Sequence, residues 1–264
     1  MGFAEIDQVS YFGIIALGLL LETIRPLRQA DGLPMRRWLN NLGLALLNYF
    51  ILVMLGPLLY KLASDVIGIY QFGILKQLGA SNTTSFVVLL LSLEFFAYWF
   101  HRASHAYPWL WRLHAVHHSD TEQDVTTTQR HHPIEILLLS VLSLPLVLLL
   151  GPDMSVLIAY SIFHGMVSTL SHANLSFGRT MNEALGRLLV TPDFHRVHHS
   201  IDRQFTDSNF GTICSVFDHL FGTAKLWDSD QQLNQPMGLK YFRGARDSRI
   251  DRLLVMPWRS DFPK

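Results

Sequence analysis

The sequence predicts an all-α integral membrane protein that carries a histidine-rich metal site. Three observations support this prediction. The chain is 49% hydrophobic and only 16% charged, its apolar residues gather into stretches of nearly membrane-spanning length, and its histidines recur at helical spacing. The first two observations place the chain among membrane proteins, and the third indicates helices that present ligands into a shared core.

Five apolar stretches approach the roughly 20 residues of a membrane-spanning helix. They run over Val9–Ile24, Leu39–Leu62, Ser85–Phe100, Ile134–Leu150 and Val156–Ser171. A weaker segment, Val66–Leu78, is interrupted by polar residues and is predicted to be an interfacial helix or a loop. The alternative is a soluble all-α protein with buried helices, but five such stretches exceed what a soluble bundle of 264 residues normally needs.

The lysine and arginine residues predict the orientation of these helices, because cytoplasmic loops carry an excess of both. The first loop contains four arginines: Arg25, Arg28, Arg36 and Arg37. With this loop in the cytoplasm, counting the crossings places His101 and the chain from His172 onward on the cytoplasmic side. We expect no cleaved signal peptide, since the N-terminus lacks a basic region. The lack of a C-terminal retention signal favours a bacterial inner membrane over the endoplasmic reticulum.

Charge and cysteine content exclude several classes of function. Lys+Arg and Asp+Glu number 21 each, so the chain lacks the basic excess expected of a nucleic-acid-binding protein. Its one cysteine, Cys214, excludes an intramolecular disulfide and any cysteine-based zinc or iron–sulfur site. A metal site in this chain must therefore depend on other ligands.

All 13 histidines lie between His101 and His219, and most fall into three short boxes. The boxes are His101-Arg-Ala-Ser-His105, His114-Ala-Val-His117-His118 and His195-Arg-Val-His198-His199. Residues three or four positions apart share one face of a helix, and this helical repeat disfavours a solvated histidine tract. Eight imidazoles are too many for one ion, since a zinc site takes three or four protein ligands. The boxes therefore predict two ions, although imidazole suits iron, zinc, copper or nickel alike.

Residues around the boxes carry a resemblance to a known family. Besides the boxes they are Tyr98-Trp99-Phe100, Arg130-His-His132-Pro-Ile-Glu135, His172-Ala-Asn174, Asn209-Phe-Gly211 and Phe217-Asp218-His219-Leu-Phe-Gly222-Thr. Over about residues 35–227 the chain resembles the fatty acid hydroxylase or sterol desaturase superfamily of membrane di-iron oxidases. Two positions depart from the family pattern, because His219 stands where members usually have Arg and His131 is an extra neighbour of His132.

The resemblance implies a single domain over residues 1–264 with the shape of a mushroom. Membrane helices over about 9–171 would form a stem that carries the first boxes, and residues 172–264 would form a cytosolic helical cap and tail. The cap would hold a poly-histidine di-metal site. The resemblance also implies two iron ions, which zinc could replace in purified protein, and the use of O2 for hydroxylation, desaturation or oxidative C–C cleavage.

The ligand set that we expect has nine members. Eight are the box histidines, and the ninth, His172, stands at a position where the family supplies a further histidine. The expected ligands are His101, His105, His114, His117, His118, His172, His195, His198 and His199.

A second set of residues is expected to support the ligands, because a metal-bound imidazole usually donates its other ring nitrogen to a carboxylate or carbonyl. The candidates are Glu94, His132, Glu135, Asn174, Asp193, Asp207, Asn209 and Asp218. Glu94 shares a helix face with His101, although a hydrogen bond between helices is an equal alternative for an intramembrane carboxylate. His164 is expected to be either a pocket residue or a buried histidine with a hydrogen bond. His131 and His219 are expected to take no part.

The leading hypothesis for function is an oxidase that uses O2 to hydroxylate a sterol, a fatty acid or a related membrane lipid. Desaturation on the same site is the nearest alternative. The sequence shows no flavin, haem or iron–sulfur motif, so electrons are expected from a separate reductase, ferredoxin or cytochrome b5-like donor. A di-zinc membrane hydrolase is less favoured, since such sites usually mix carboxylates with histidine. A metal transporter is disfavoured because its site would lie near the bilayer midplane.

Overall fold

The computed structural model describes residues 3–29, 35–70 and 73–263. In chain order its helices are α1 (Phe3–Ile24), α2 (Met35–Tyr70), α3 (Ile74–Gln77), α4 (Asn82–Ala106), α5 (Pro108–His118), α6 (Pro133–Leu150), α7 (Met154–His172), α8 (Arg179–Leu185), α9 (Pro192–His198), α10 (Arg203–Thr206), α11 (Val216–Leu220), α12 (Ser229–Asn234) and α13 (Ile250–Val255). Single 3₁₀ turns cover Val125–Gln129 and Met256–Trp258. No β-strand forms within the described ranges, so the all-α prediction is confirmed.

Four helices are long and apolar enough to cross a membrane. They are the Met35–Gly56 part of α2, and α4, α6 and α7 over their full lengths. Their outer surfaces expose large apolar side chains, for example Leu46 at 69% and Phe50 at 58%, as expected for helices that face lipid rather than water. The predicted stem of membrane-length helices is confirmed, whereas the cytosolic side of the cap stays a prediction.

The first predicted stretch differs from the other four. The apolar part of α1, Val9–Ile24, is shorter than a spanning helix, and its end is polar. The buried Glu22 carboxylate accepts hydrogen bonds from the backbone N–H groups of Val125 at 2.9 Å and Asn174 at 2.6 Å. This carboxylate therefore ties the end of α1 to two loops near the histidines, while the rest of α1 packs along α7.

The predicted interfacial segment, Val66–Leu78, is divided between two helices. Residues 66–70 complete α2, residues 71–72 lie outside the described residues, and α3 follows from Ile74. α3 packs against the C-terminal end of α6, where Gly73 and Gly151 have φ angles of 132° and 58°. A Cβ on Gly151 would lie 2.4 Å from the Cα of Gly73, so this close backbone approach requires glycine.

The C-terminal tail anchors the helix that carries the second histidine box. Leu253 and Met256 are fully buried, and they pack with Leu44 of α2 and with Ala115 and Val116 of α5. This apolar cluster holds α5 against the beginning of α2. Since α5 follows α4 after one residue, the first and second boxes are also fixed relative to each other.

Candidate metal centre

Nine histidines converge at one end of the stem. His101 and His105 lie in the last turns of α4, which continues from its membrane-length part without a break. The second box occupies the C-terminal half of α5, the third lies at the end of α9, and His172 is the last residue of α7. All nine are buried except His101, which is half-buried. The site is therefore assembled from four helices, of which α4 and α5 are adjacent in sequence while α7 and α9 follow much later.

The nine histidines form two groups, each of which could hold an ion. The five-histidine group contains His101, His105, His114, His118 and His198, and the four-histidine group contains His117, His172, His195 and His199. Within each group, one ring nitrogen from each residue lies within 4.8 Å of all the others. The structure thus brings together all nine residues that the sequence predicted as ligands, at two positions.

Helical geometry explains how one box serves both groups. At 3.6 residues per turn, a residue four positions on is rotated by about 40°, whereas one three positions on is rotated by about 60° in the opposite sense. His114 and His118 accordingly share one group, while His117 belongs to the other. In the third box the same rule puts His195 and His199 together and His198 in the opposite group.

Hydrogen bonds behind the five-histidine group fix which ring nitrogen carries the proton. His101 Nδ1 lies 2.8 Å from the Phe210 carbonyl, and His114 Nδ1 lies 2.6 Å from Glu135 Oε1. A carbonyl can only accept, so Nδ1 of a neutral His101 is the donor and its Nε2 is a bare lone pair. The same applies to His114, yet the two Nε2 atoms lie only 3.0 Å apart. Two facing lone pairs make no hydrogen bond with each other. They can instead both bind the same cation as ligands.

Two further members of this group show the same pattern. His105 Nδ1 lies 3.2 Å from Asp207 Oδ1, and His198 Nδ1 lies 2.7 Å from the Ser208 carbonyl. The opposite nitrogens, Nε2 of His105 and Nε2 of His198, are buried without a hydrogen-bond partner among the described residues. Buried polar atoms are nearly always satisfied, so these two orphaned atoms fit metal ligation.

The four-histidine group is supported differently. His172 Nδ1 donates to the Ser168 carbonyl at 2.8 Å, and its Nε2 lies 3.2 Å from His117 Nε2 and 3.0 Å from His195 Nε2. The Nε2 atoms of His195 and His199 lie 3.2 Å apart. However, the Nδ1 atoms of His117, His195 and His199 are buried and meet no acceptor in the part of the chain that the structure describes. The inner faces of the two groups are therefore alike, while their outer faces are not.

Burial keeps four of these imidazoles neutral. Removal from water, and next the proximity of other imidazoles, lower the pKa of His117, His118, His195 and His199 well below the ordinary 6.5. A metal binds the neutral imidazole. These residues are thus in the ligating form at neutral pH.

The candidates for supporting residues divide into those that touch a histidine and those that act through the backbone. Glu135 and Asp207 bond directly to His114 and His105. Asp218 instead accepts from the backbone N–H groups of Phe210 and Gly211, at 2.7 Å each. Asp218 therefore fixes the carbonyl that receives the His101 proton.

Two more candidates hold the same loop from other sides. Asn209 has a positive φ of 54°, and its Nδ2 donates to the carbonyls of Phe194 at 2.7 Å and Lys225 at 2.8 Å. Glu94 is buried in α4, and its Oε2 accepts from the N–H groups of Ile213 at 2.8 Å and Cys214 at 3.1 Å. The intramembrane carboxylate thus anchors a loop rather than a neighbouring helix.

The remaining candidates bond elsewhere. Asp193 pairs with Arg196 at 2.8 Å, and Asn174 exchanges backbone hydrogen bonds with Arg28. His132 Nδ1 accepts from the Ile134 N–H at the start of α6, and its Nε2 donates to the Leu254 carbonyl at 3.1 Å. The structure therefore places these three side chains against the backbone and an arginine, and not against a ligand histidine.

The residue that the sequence interpretation passed over is His131. Its ring stacks on His117 with centroids 4.2 Å apart and an interplanar angle of 9°, and its Nδ1 lies 3.3 Å from Glu135 Oε2. The i,i+4 spacing of His131 and Glu135 was a signal for this contact. His219 bonds to the Gly186 carbonyl, and His164 lies near Tyr160, both outside the two groups.

Comparison with known proteins agrees with this geometry. A profile of the fatty acid hydroxylase family matches residues 86–223, just over half of the chain. The chain is 30% identical to the alkylglycerol monooxygenase of Homo sapiens, over 50% of this chain and 29% of that protein. It is 34% identical to the ornithine lipid hydroxylase of Rhizobium tropici, over 52% of this chain and 40% of that protein. No solved structure matches.

A further relative is the very-long-chain aldehyde decarbonylase of Oryza sativa subsp. indica, at 29% identity over 55% of this chain and 54% of that protein. The chain thus spans between about a third and about half of the length of these relatives. The family match contains all three histidine boxes. By its sequence and by the residues that this match covers, the chain belongs to the fatty acid hydroxylase family.

Proposed function

We propose that the chain is an O2-dependent di-iron oxidase that hydroxylates a membrane lipid. The observation that carries the proposal is the pair of buried histidine groups at the end of a membrane-length stem. We further propose that the site faces the cytoplasm of a bacterial inner membrane, and that a separate reductase, ferredoxin or cytochrome b5-like protein supplies electrons.

The two groups would hold one iron each, and bound iron would supply the O2 chemistry and the oxidising power for attack on a C–H bond. The protein would do the rest. Its buried imidazoles offer neutral nitrogen ligands, and Glu135 and Asp207 fix the ring orientation of His114 and His105. The position at the end of the stem lets a lipid keep its tail among the apolar helices while its reacting carbon approaches the histidines.

The ligand chemistry favours oxidation over hydrolysis. Hydrolytic two-metal sites usually combine carboxylates with histidines, whereas both groups here consist of histidine alone. A third candidate cluster, formed by His114, His131 and Glu135, does contain a carboxylate. Its Glu135 bonds to the Nδ1 atoms of His114 and His131, whereas the Nε2 atom of His114 faces the other histidines of its group. Desaturation needs the same site and the same oxidant, so it is distinguished from hydroxylation only by the product.

The relatives support a lipid substrate. One is named as a monooxygenase of alkylglycerols and another as a hydroxylase of ornithine lipids. Both names describe the oxidation of a lipid, and we propose the same kind of reaction for this chain. The family profile, which matches residues 86–223, covers all three boxes.

Metal content and O2-dependent turnover test the proposal together. We would purify the protein in mild detergent, measure its metals by elemental analysis, and supply membranes with a reductant and ¹⁸O2. We expect about two irons per chain and a lipid product that gains one labelled oxygen. His117→Ala should remove an ion from the four-histidine group and abolish the product.

His219→Ala is the matched control, because His219 lies outside both groups and bonds to a backbone carbonyl. This variant should keep both irons and full turnover. A product that has lost two hydrogens and gained no oxygen would replace hydroxylation with desaturation. Two zinc ions with activity that ignores O2 and reductant would overturn the oxidase and indicate a hydrolase.

A further inference from the structure

A cavity of about 240 Å³ lies inside the stem, between α1, α2, α6 and α7. Most of its wall is apolar, with side chains such as Phe12, Leu52 and Ile136. Its polar lining includes Asn48 and His131. An apolar cavity with few polar groups is the usual form of a site for a small organic molecule.

One end of this cavity lies next to the metal centre. His131 lines the cavity, and its ring stacks on His117 of the four-histidine group at 4.2 Å. A lipid that enters between the stem helices therefore comes within one imidazole ring of a ligand histidine. The cavity thus lies beside the proposed site of oxidation, with the His131 ring between them.

One residue of the wall at that end, Asn48, contains a buried acceptor without a partner. Asn48 is only 8% exposed, and its Nδ2 donates to the His131 carbonyl at 2.9 Å. Because a carbonyl only accepts, the atom that faces it must be the amide nitrogen, and this settles the orientation of the Asn48 amide. The other atom, Oδ1, is buried without a partner. Among the described residues that line the cavity, this is the one side-chain atom of that kind.

We propose that this cavity binds a lipid that carries a hydrogen-bond donor, a hydroxyl or an amide N–H, close to the carbon that is oxidised. The donor would bond to Asn48 Oδ1, which is otherwise left unpaired in an apolar wall. Lipids without a donor at this point, such as plain alkanes or fully esterified or methylated analogues, would bind more weakly. This inference rests on the proposed function and names its substrate class.

The room for the lipid comes in part from Gly165 of α7. Gly165 lines the cavity, and a Cβ at this position would meet no atom within 4 Å. A large side chain there would therefore fill the cavity without a clash with the backbone. Gly13 of α1 also has open space around its Cβ position and does not line the cavity, so it offers a matched control.

The test measures binding rather than turnover. The full-length protein in lipid nanodiscs is loaded with tritiated hexadecanol, which is then displaced by unlabelled hexadecanol or by hexadecyl methyl ether. These probes have the same chain, and only the first has a donor. We expect wild type to prefer the alcohol about tenfold, the ratio for one unpaired buried polar group.

Three variants, one of them a control, complete the test. Asn48→Leu should bind both probes equally, and Gly165→Leu should bind neither, whereas Gly13→Leu should behave as wild type. No preference in wild type, a preference that survives in Asn48→Leu, or full binding by Gly165→Leu would each overturn the inference. If Asn48→Leu does not fold, the preference of wild type for the alcohol and the loss of binding in Gly165→Leu decide the question.

The binding assay also separates this inference from the proposed function. Protein that holds two irons and oxidises lipid with no preference between the probes would retain the oxidase and overturn the donor requirement. Protein that prefers the alcohol through Asn48, but turns over without O2, would support the binding site and overturn the oxidase.

Discussion

The two histidine groups have similar inner faces and different outer faces. In the five-histidine group, four residues donate their outer nitrogen to a carboxylate or carbonyl: His101, His105, His114 and His198. In the four-histidine group only His172 does so in the described structure, and the outer nitrogens of the other three are buried without acceptors. The first group is held in place by the protein, and the second has much less of this support.

This difference predicts that the two groups bind their ions with unequal affinity. Acceptors behind a ligand imidazole fix its tautomer and orientation and raise its basicity, and their loss typically costs 10- to 100-fold in metal affinity. We expect the ion in the five-histidine group to bind more tightly and to exchange more slowly.

Removal of Glu135 should weaken the better-supported group most. Glu135→Ala leaves the outer nitrogens of His114 and His131 without their acceptor, and we expect about 10- to 100-fold weaker binding of one ion. Elemental analysis after dialysis should then give about one ion per chain. Glu183→Ala removes an exposed carboxylate that pairs only with Arg179 and should leave both ions. Equal stoichiometry in the two variants would contradict a supporting role for Glu135.

Chelation of the wild-type protein should occur in two phases. The ion of the four-histidine group should leave at roughly tenfold lower chelator concentration, the lower end of the effect of missing acceptors. Titration with a chelator, followed by metal analysis, measures both phases. In Glu135→Ala the order should reverse or the phases should merge. Simultaneous loss of both ions from wild type would contradict the predicted difference in affinity between the two groups.

Asp207 should contribute less than Glu135. Its side chain is 39% exposed, it lies 3.2 Å from His105, and water can replace it as an acceptor. We expect Asp207→Ala to weaken the same ion only about two- to fivefold, below the usual range for a buried acceptor. The chelator titration above measures the shift. A larger effect than that of Glu135→Ala would reverse the ranking.

A network beside both groups should change stability without changing the ratio of the ions. Asp120 follows His118 closely and bonds to Arg37 at 3.0 Å and to Asn41 at 3.0 Å. Burial alone would raise the pKa of Asp120, but the guanidiniums of Arg37 and Arg130 outweigh it and hold the pKa below 3.8. The ionised carboxylate thus stabilises the fold above about pH 3.8, and this contribution is lost as the pH falls through the lower, folded-state pKa.

Asp120→Asn should therefore lower the melting temperature at pH 7, while both chelation phases shift together. A selective shift of one phase would show that the loop after α5, and not the outer acceptors, sets the asymmetry. Circular dichroism with temperature provides the stability measurement, and the chelator titration provides the ratio.

The histidine positions were predictable from the sequence because helical spacing is a local property. The boxes in α5 and α9 needed only 3.6 residues per turn to divide between two ions. The partners of the outer nitrogens were not local. Phe210 and Ser208 act through backbone carbonyls, which carry no sequence signature. The loop that presents them is held by Asp218, eight residues after Phe210, and by Glu94, which is 119 residues from Ile213.

The neighbours His131 and His132 show where sequence interpretation fails. The sequence favoured His132 as a supporting residue, yet the structure directs His131 toward the metal centre. Pro133 begins α6, so His132 becomes the residue that caps this helix, and its ring turns to the Ile134 N–H. A cap is decided by where a helix begins, which is the least reliable part of a sequence-based prediction.

The uninterrupted course of α4 has a consequence for the setting of the enzyme. From Asn82 to His101 the helix rises about 28 Å, close to the hydrocarbon thickness of a bilayer of roughly 30 Å. A thicker or thinner bilayer must be met by tilt of this helix or by deformation of the lipid around it. Because the first histidine box lies on the same continuous helix, hydrophobic mismatch would raise or lower the proposed oxidation site relative to the acyl chains. The composition of the host membrane would thereby help to choose which carbon is reached.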